Sequence, residues 1–210
     1  MAPPPGRGLF ITLEGGEGSG KSTLAGALAS RLEERGYGIC LTREPGGTAL
    51  GLAVQQLLER DRAPAPLAEL LLFTADRAQH VHEVIAPALA AGKVVVCDRF
   101  SDSTLAYQGF GRGLDIGLIR RLNEEATGGL KPDLTLLLDL SPEAGLTREG
   151  AQVDVTGREP EEFHQRVREG FLALAQEEPQ RFVVIDGALR PDEVRKQAMG
   201  AVEKRLPQPA

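Results

Sequence analysis

Residues 9–32 read LFITLEGGEGSGKSTLAGALASRL: an apolar run, a knot of small residues, then leucines at every fourth position. Within the knot, Gly15, Gly20, Lys21 and Ser22 match the spacing G-x-x-x-x-G-K-[ST], between a strand-like segment and a helix-like one. Glycines let successive main-chain N–H groups converge on one point, and the helix start adds the positive end of its dipole. Lys21 supplies a mobile cation, and Ser22 supplies a hydroxyl able to ligate Mg²⁺. Together these parts cradle a triphosphate, so Gly15, Gly16, Gly18, Ser19, Gly20, Lys21, Ser22 and Thr23 are the expected nucleotide-binding residues. The plainer alternative is a glycine-rich turn beside an exposed lysine.

A loop of this kind hangs from a sheet. Residues 9–13, 94–97, 134–138 and 182–185 have the continuous apolar character of strands buried on both faces, and 38–42 form a weaker fifth candidate. Leu24, Leu28 and Leu32 form one helical stripe, and Val81, Val84, Ile85, Ala88 and Leu89 form another. Further helices are expected over 50–60, 67–91 with a break or bend, 115–126, 160–177 and 191–205. Strands that alternate with helices imply right-handed crossovers and a parallel sheet covered on both sides. The expected fold is α/β: a doubly wound, parallel, five-stranded sheet in one domain spanning 1–210, with 1–7 as a loose proline-bearing tail. In such sheets ligands sit beyond the carboxyl ends of the strands, so the polar residues that follow each apolar run deserve scrutiny first.

Composition narrows the partners. A net charge of −6 argues against broad nucleic-acid binding, which draws its energy from a surplus of Lys and Arg, whereas a small anionic substrate needs only a local cationic pocket. Cys40 and Cys97 lack metal-ligand spacing and read as buried free thiols, as suits a reducing cytoplasm. The start has no apolar signal region and no segment is long enough to span a membrane, so neither secretion nor insertion is expected.

Three further segments carry the discrimination among nucleotide-using proteins: TREPGGT at 42–48, LLFTADRAQH at 71–80 and DRFSDSTLAYQGFGRG at 98–113. The first and third read as loops after strands and the second lies in a helical stretch. From the residues alone, Phe73 is either a core aromatic or a flat face for a base. Arg77, one turn on, either reaches a ligand or pairs with a surface carboxylate. Asp98 and Arg99 suit a Mg²⁺ water shell and a planar phosphate clamp, or a structural ion pair.

With the phosphate loop, in this order and at these intervals, the segments resemble thymidylate kinase over roughly 9–206. The resemblance implies a nucleoside monophosphate kinase of the P-loop type that phosphorylates dTMP with ATP, uses Mg²⁺ and forms a homodimer. It also implies that Phe73 stacks on thymine and that Arg77 reaches the base or the acceptor phosphate. Arg43 and Arg99 hold phosphate, and Glu17 accepts the acceptor's 3′-hydroxyl. Tyr107 crowds the sugar 2′ position, while Gln108, with Ser103 or Thr104, addresses the base edge. Ser22 and Asp98 are the expected metal-side residues.

A phosphate monoester, with its second pKa near 6, is already anionic at neutral pH, so no general base is needed and the three histidines read as surface residues. Among the variable loop positions Gly16, Glu17, Gly18 and Ser19 none is cationic. The resemblance implies that an additional catalytic arginine comes either from this loop or from a lid; if the transition state receives one here, it comes from the lid segment 148–159, where Arg148 and Arg158 are the candidates. That segment departs from the family's arginine-rich pattern, with Asp154-Val155 in place of an Asp-Arg pair. Two readings stand beside dTMP phosphorylation: a kinase for another nucleoside monophosphate or a deoxynucleoside, and a nucleotide-dependent switch. The switch would call for an Asn-Lys-x-Asp run, which the chain lacks.

Overall fold

The structure, a computed structural model, describes residues 7–59, 64–149 and 159–206. Strands β1 (Phe10–Gly15), β2 (Ile39–Arg43), β3 (Val94–Asp98), β4 (Leu134–Asp139) and β5 (Phe182–Asp186) form one parallel sheet in the order β2-β3-β1-β4-β5. The helices that cover it are α1 (Lys21–Glu33), α2 (Ala49–Leu58), α3 (Pro66–His80), α4 (Ala86–Ala90), α5 (Ser101–Thr104), α6 (Ile116–Thr127), α7 (Pro142–Glu149), α8 (Glu161–Glu177) and α9 (Pro191–Glu203). None of the described helices is long and apolar enough to cross a membrane.

Successive side chains of a strand point to opposite faces, and both faces of β1 are buried. Ile11 and Leu13 join Val94, Val96, Leu134, Leu136 and Leu138 beneath Leu24, Leu28 and Leu32 of α1 and Val194 and Ala198 of α9. Each such leucine contributes about 1.5–3 kcal/mol on burial. On the other face Phe10, Val95 and Cys97 meet Ile85 and Leu89, while Leu137 and Phe182 meet Ile119, Phe163, Val167 and Phe171. The cysteines are free; Cys97 is buried but Cys40 only half so.

The strands run one or two residues past the apolar runs, because the ladder continues through polar positions: Glu14 pairs with Leu137, Gly15 with Leu138, and Asp139 with Asp186. The break expected within 67–91 is a π-helical turn, Val81–Ile85, ahead of Pro87, which has no N–H to give to an α-helical bond. Of the expected tail, Arg7 lies within the described residues and its Nη1 sits 3.4 Å from Asp133.

One reading needs correction. The segment after Arg99 is not a loop but a helix, α5 continuing into a π-helical stretch Leu105–Gly111. Gly109 and Gly111 lower its helix propensity, yet they also remove side chains where the stretch meets its neighbours. A Cβ on Gly111 would fall 2.6 Å from Phe163, and one on Gly109 2.3 Å from Ile116. Packing overrides propensity here.

Candidate active site

The phosphate loop connects β1 to α1, and its geometry depends on its glycines. Gly18 has φ +63°, and a Cβ there would lie 2.0 Å from the Gly145 carbonyl oxygen of α7. A Cβ on Gly145 would in turn come within 2.3 Å of the Glu17 carbonyl oxygen, so loop and helix touch backbone to backbone. The Lys21 ammonium donates to the Gly16 carbonyl (2.6 Å) and to Ser19 Oγ (3.2 Å). Burial, with the charge of Arg99, brings it down to about 8.

Register places the β3 terminus beside this loop, with Leu13 opposite Asp98. Ser22 Oγ donates to Asp98 Oδ2 at 2.5 Å, whereas Asp98 Oδ1 is buried with no partner among the described residues. A buried, unsatisfied carboxylate oxygen next to a hydroxyl is a donor set that suits a hard divalent cation. Arg99 adopts φ +69°, the left-handed region. Its guanidinium lies 4.9 Å over the Tyr107 ring and 3.7 Å from Glu17 Oε1. The turn that sets it is anchored by Glu14, which accepts from Phe100 N (2.8 Å) and Ser103 Oγ (2.5 Å). Burial, reinforced by the charge of Asp102, pushes the Glu14 carboxyl up to about 8.

Beyond the loop opens a cleft of about 490 Å³ whose walls include Lys21, Ser22, Arg43, Phe73, Arg77, Asp98, Arg99, Tyr107, Gln108 and Arg148. Glu17, Gly18, Gly20, Thr23, Ser103 and Thr104 also reach its surface; Gly15, Gly16 and Ser19 form the frame of the loop behind it. Tyr107 Oη donates to Glu17 Oε1 (2.7 Å), and Gln108 Nε2 donates to Glu69 Oε1 (2.7 Å). Burial works to raise the Glu17 pKa, but hydrogen bonding from His164, the charge of Arg99 and the Tyr107 hydroxyl prevail and hold it at about 2. Phe73 is half-buried on the cleft wall, and Arg43 is exposed, with Nε 3.2 Å from the Pro45 carbonyl.

Arg77 is more constrained than either sequence reading suggested. It is buried, with Nε donating to Glu44, Nη1 to Asn123 and Nη2 to the Phe100 carbonyl. Those bonds occupy most of its five N–H groups. The surface reading of the histidines is overturned for two of the three. His80 is fully buried between Glu44 Oε1 (3.0 Å) and Thr42 Oγ1 (2.6 Å), and His164 is buried with Nδ1 3.3 Å from Glu17 Oε2; His82 is exposed. Arg148 Nη1 donates to the Gly187 carbonyl (2.8 Å). Arg158, with most of 148–159, lies outside the described residues.

Comparison with known proteins follows from this geometry. A family model described as thymidylate kinase matches residues 13–198. The chain belongs to the thymidylate kinase family. A thymidylate kinase of a Synechococcus strain is 60% identical over 199 residues, covering 95% of this chain and 96% of that one. Another, from Deinococcus radiodurans, is 50% identical over 202 residues, covering 95% and 98%. A crystal structure of thymidylate kinase from Ehrlichia chaffeensis superposes with TM-score 0.78 at 38% identity, over 93% of this chain and 99% of that one. The sheet and phosphate loop are thus those of a P-loop nucleoside monophosphate kinase of the thymidylate kinase family.

Sequence reasoning missed Glu44, Glu69 and Arg112 on the cleft wall and Glu14, His80 and His164 behind it. A signal existed for two of them. Leu70, Phe73, Arg77 and His80 share one helical stripe, as do His164, Val167, Phe171 and Leu174, so each histidine occupies a core-facing position.

Proposed function

We infer that the chain transfers the γ-phosphoryl group of ATP to dTMP, giving ADP and dTDP. The observation that carries this reading is that one cleft is lined both by the phosphate-loop lysine and by Phe73, Tyr107 and Gln108. A bond forms from an anionic oxygen of the acceptor phosphate to the γ-phosphorus while the bond to the β,γ-bridging oxygen breaks and leaves with ADP. Because the attacking oxygen is already ionised, the protein's task is alignment and charge neutralisation. Lys21 and the loop amides hold the donor phosphates, and Arg99, its guanidinium set by Tyr107 and Glu17, neutralises charge at the point of transfer. Arg43 holds the acceptor phosphate, Phe73 stacks on the base, and Gln108 with Ser103 or Thr104 meets the base edge. Arg77 acts chiefly by bracing the wall behind the base, with Glu44 as its partner.

Ser22 and Asp98 would hold Mg²⁺, whose charge would offset that building on the phosphates. Arg148 and Arg158 are the candidates for an additional cation over the donor. A homodimer is supported by the exposed leucines of neighbouring helices α2 and α3, Leu50, Leu52, Leu57, Leu67 and Leu71, which a partner would remove from water. We place the enzyme in the cytoplasm, in keeping with its two free thiols.

The test is ADP release with ATP across a panel of acceptors. Fastest turnover with dTMP is the expected result; preference for dCMP, or for thymidine itself, would assign the cleft to a different acceptor.

A further inference from the structure

Glu17 stands between Gly16 and Gly18, so its immediate neighbours offer no side chains to fix the carboxylate. Its orientation comes from three other elements. Tyr107 Oη and Arg99 Nη2 both sit at Oε1, at 2.7 and 3.7 Å. At Oε2 the neighbour is His164 Nδ1 from α8, at 3.3 Å. The three differ in one respect that matters. Tyr107 and Arg99 line the cleft, where they contact the acceptor under the reading above. His164 does not line the cleft. It is 4% exposed, meets Phe163 edge-on with centroids 5.4 Å apart, and shares the core face of α8 with Val167 and Phe171.

We propose that His164 is a positioning residue for the acceptor: it fixes Glu17 through Oε2, so that the carboxylate is already aimed at the 3′-hydroxyl of the acceptor's sugar before the acceptor arrives. This rests on the assignment of Glu17 to that hydroxyl. A donor buried in a packed helix costs nothing to reorganise at binding, which is the advantage of preorganisation. The His164 pKa is raised above its ordinary value, first by hydrogen bonding to Glu17 and against the effect of burial, in keeping with the contact at Oε2. Because the imidazole touches no substrate, its effect is on the placement of Glu17 alone.

The experiment compares steady-state kinetics of the wild-type enzyme, His164→Leu and His164→Asn with two acceptors, dTMP and its 3′-deoxy analogue, at saturating ATP. A lost contact to a charged group predicts that His164→Leu raises KM for dTMP by about tenfold. KM for the 3′-deoxy analogue should stay near the wild-type value, so the preference for the 3′-hydroxyl shrinks. His164→Asn, whose amide nitrogen takes the place of Nδ1, should restore most of that preference. Equal losses with both acceptors, or no loss with either, would overturn the role of His164. A wild-type enzyme indifferent to the 3′-hydroxyl would instead overturn the Glu17 assignment, and the proposal with it. If the leucine variant does not fold, His164→Gln, which carries its amide beyond the Nδ1 position, is read against the asparagine variant with the same expectation.

Discussion

Lys21 and Phe73 both line the cleft, and neither belongs to the hydrophobic core clusters, so each can be removed without opening the core. Lys21→Met keeps the length of the side chain and loses the cation. Turnover should fall by at least about 10²–10³-fold, the scale of losing a charge-stabilising donor, while circular dichroism remains that of the wild type. Phe73→Ala should weaken dTMP by roughly 1–3 kcal/mol, the range for a base losing its aromatic platform, and leave ATP binding unchanged in titration calorimetry. Unchanged acceptor affinity would remove the stacking assignment. Asp76 makes a different prediction. It is fully buried, neither carboxylate oxygen accepts a well-formed hydrogen bond among the described residues, and burial, then the charge of Glu44, pushes its pKa from 3.8 up to about 6. An acid whose pKa is raised by folding costs stability as pH climbs from its unfolded value through its folded one. Asp76→Asn should therefore melt higher than wild type, by an increment that grows between pH 4 and 6 and is level above that; a constant increment across calorimetric scans at pH 4, 5, 6 and 8 would contradict the assignment. At this scale the cleft residues that belong to the phosphate loop and the Asp-Arg-Phe segment were legible, because those motifs have fixed spacing, whereas Glu69 and Arg112 on the same wall carry no such signature. The groups behind them were not: a buried Glu, Asp or His looks the same in sequence as a solvated one, and only its place on an apolar stripe gives it away.

Among the elements, the contact between the phosphate loop and α7 has the sharpest consequence. Gly145→Ala would drive a methyl into the Glu17 carbonyl, at a cost of about 1–3 kcal/mol in the manner of an overpacked core. Since the group displaced belongs to the nucleotide loop, both the melting temperature and the additional rise produced by MgATP should fall; a drop in the first alone would mean that the loop relaxes freely. Four of the strands and the longer helices were legible because their hydrophobic periods are unambiguous over five to seventeen residues, whereas β2, partly exposed along its length, gave only a weak signal. The segment Ser101–Gly111 was not, because its two glycines and polar start imitate a loop while tertiary contact with α8 holds it helical.

For the molecule as a whole, the alternation of strands and helices announced a parallel sheet, and the order β2-β3-β1-β4-β5 puts the phosphate loop at its centre, where the β3 terminus can reach it. Strand order itself was not readable, since no local pattern says which apolar run lies beside which. The exposed leucines of α2 and α3 carry the prediction at this scale. Replacing Leu52 and Leu71, which are 53% and 49% exposed, with glutamate should turn a dimer into a monomer in sedimentation velocity, with little loss of the monomer's own fold. A wild-type protein that sediments as a monomer would discard the dimer.

The left-handed backbone at Arg99 bears on how this enzyme would respond to selection for heat resistance. An L-residue other than glycine pays of order 1 kcal/mol or more to sit there, so glycine or asparagine at 99 relieves a tension that the working chain retains. A screen that scores only survival after heating would favour such replacements and gather robust but idle proteins, so thermal endurance and turnover would have to be scored side by side at this position.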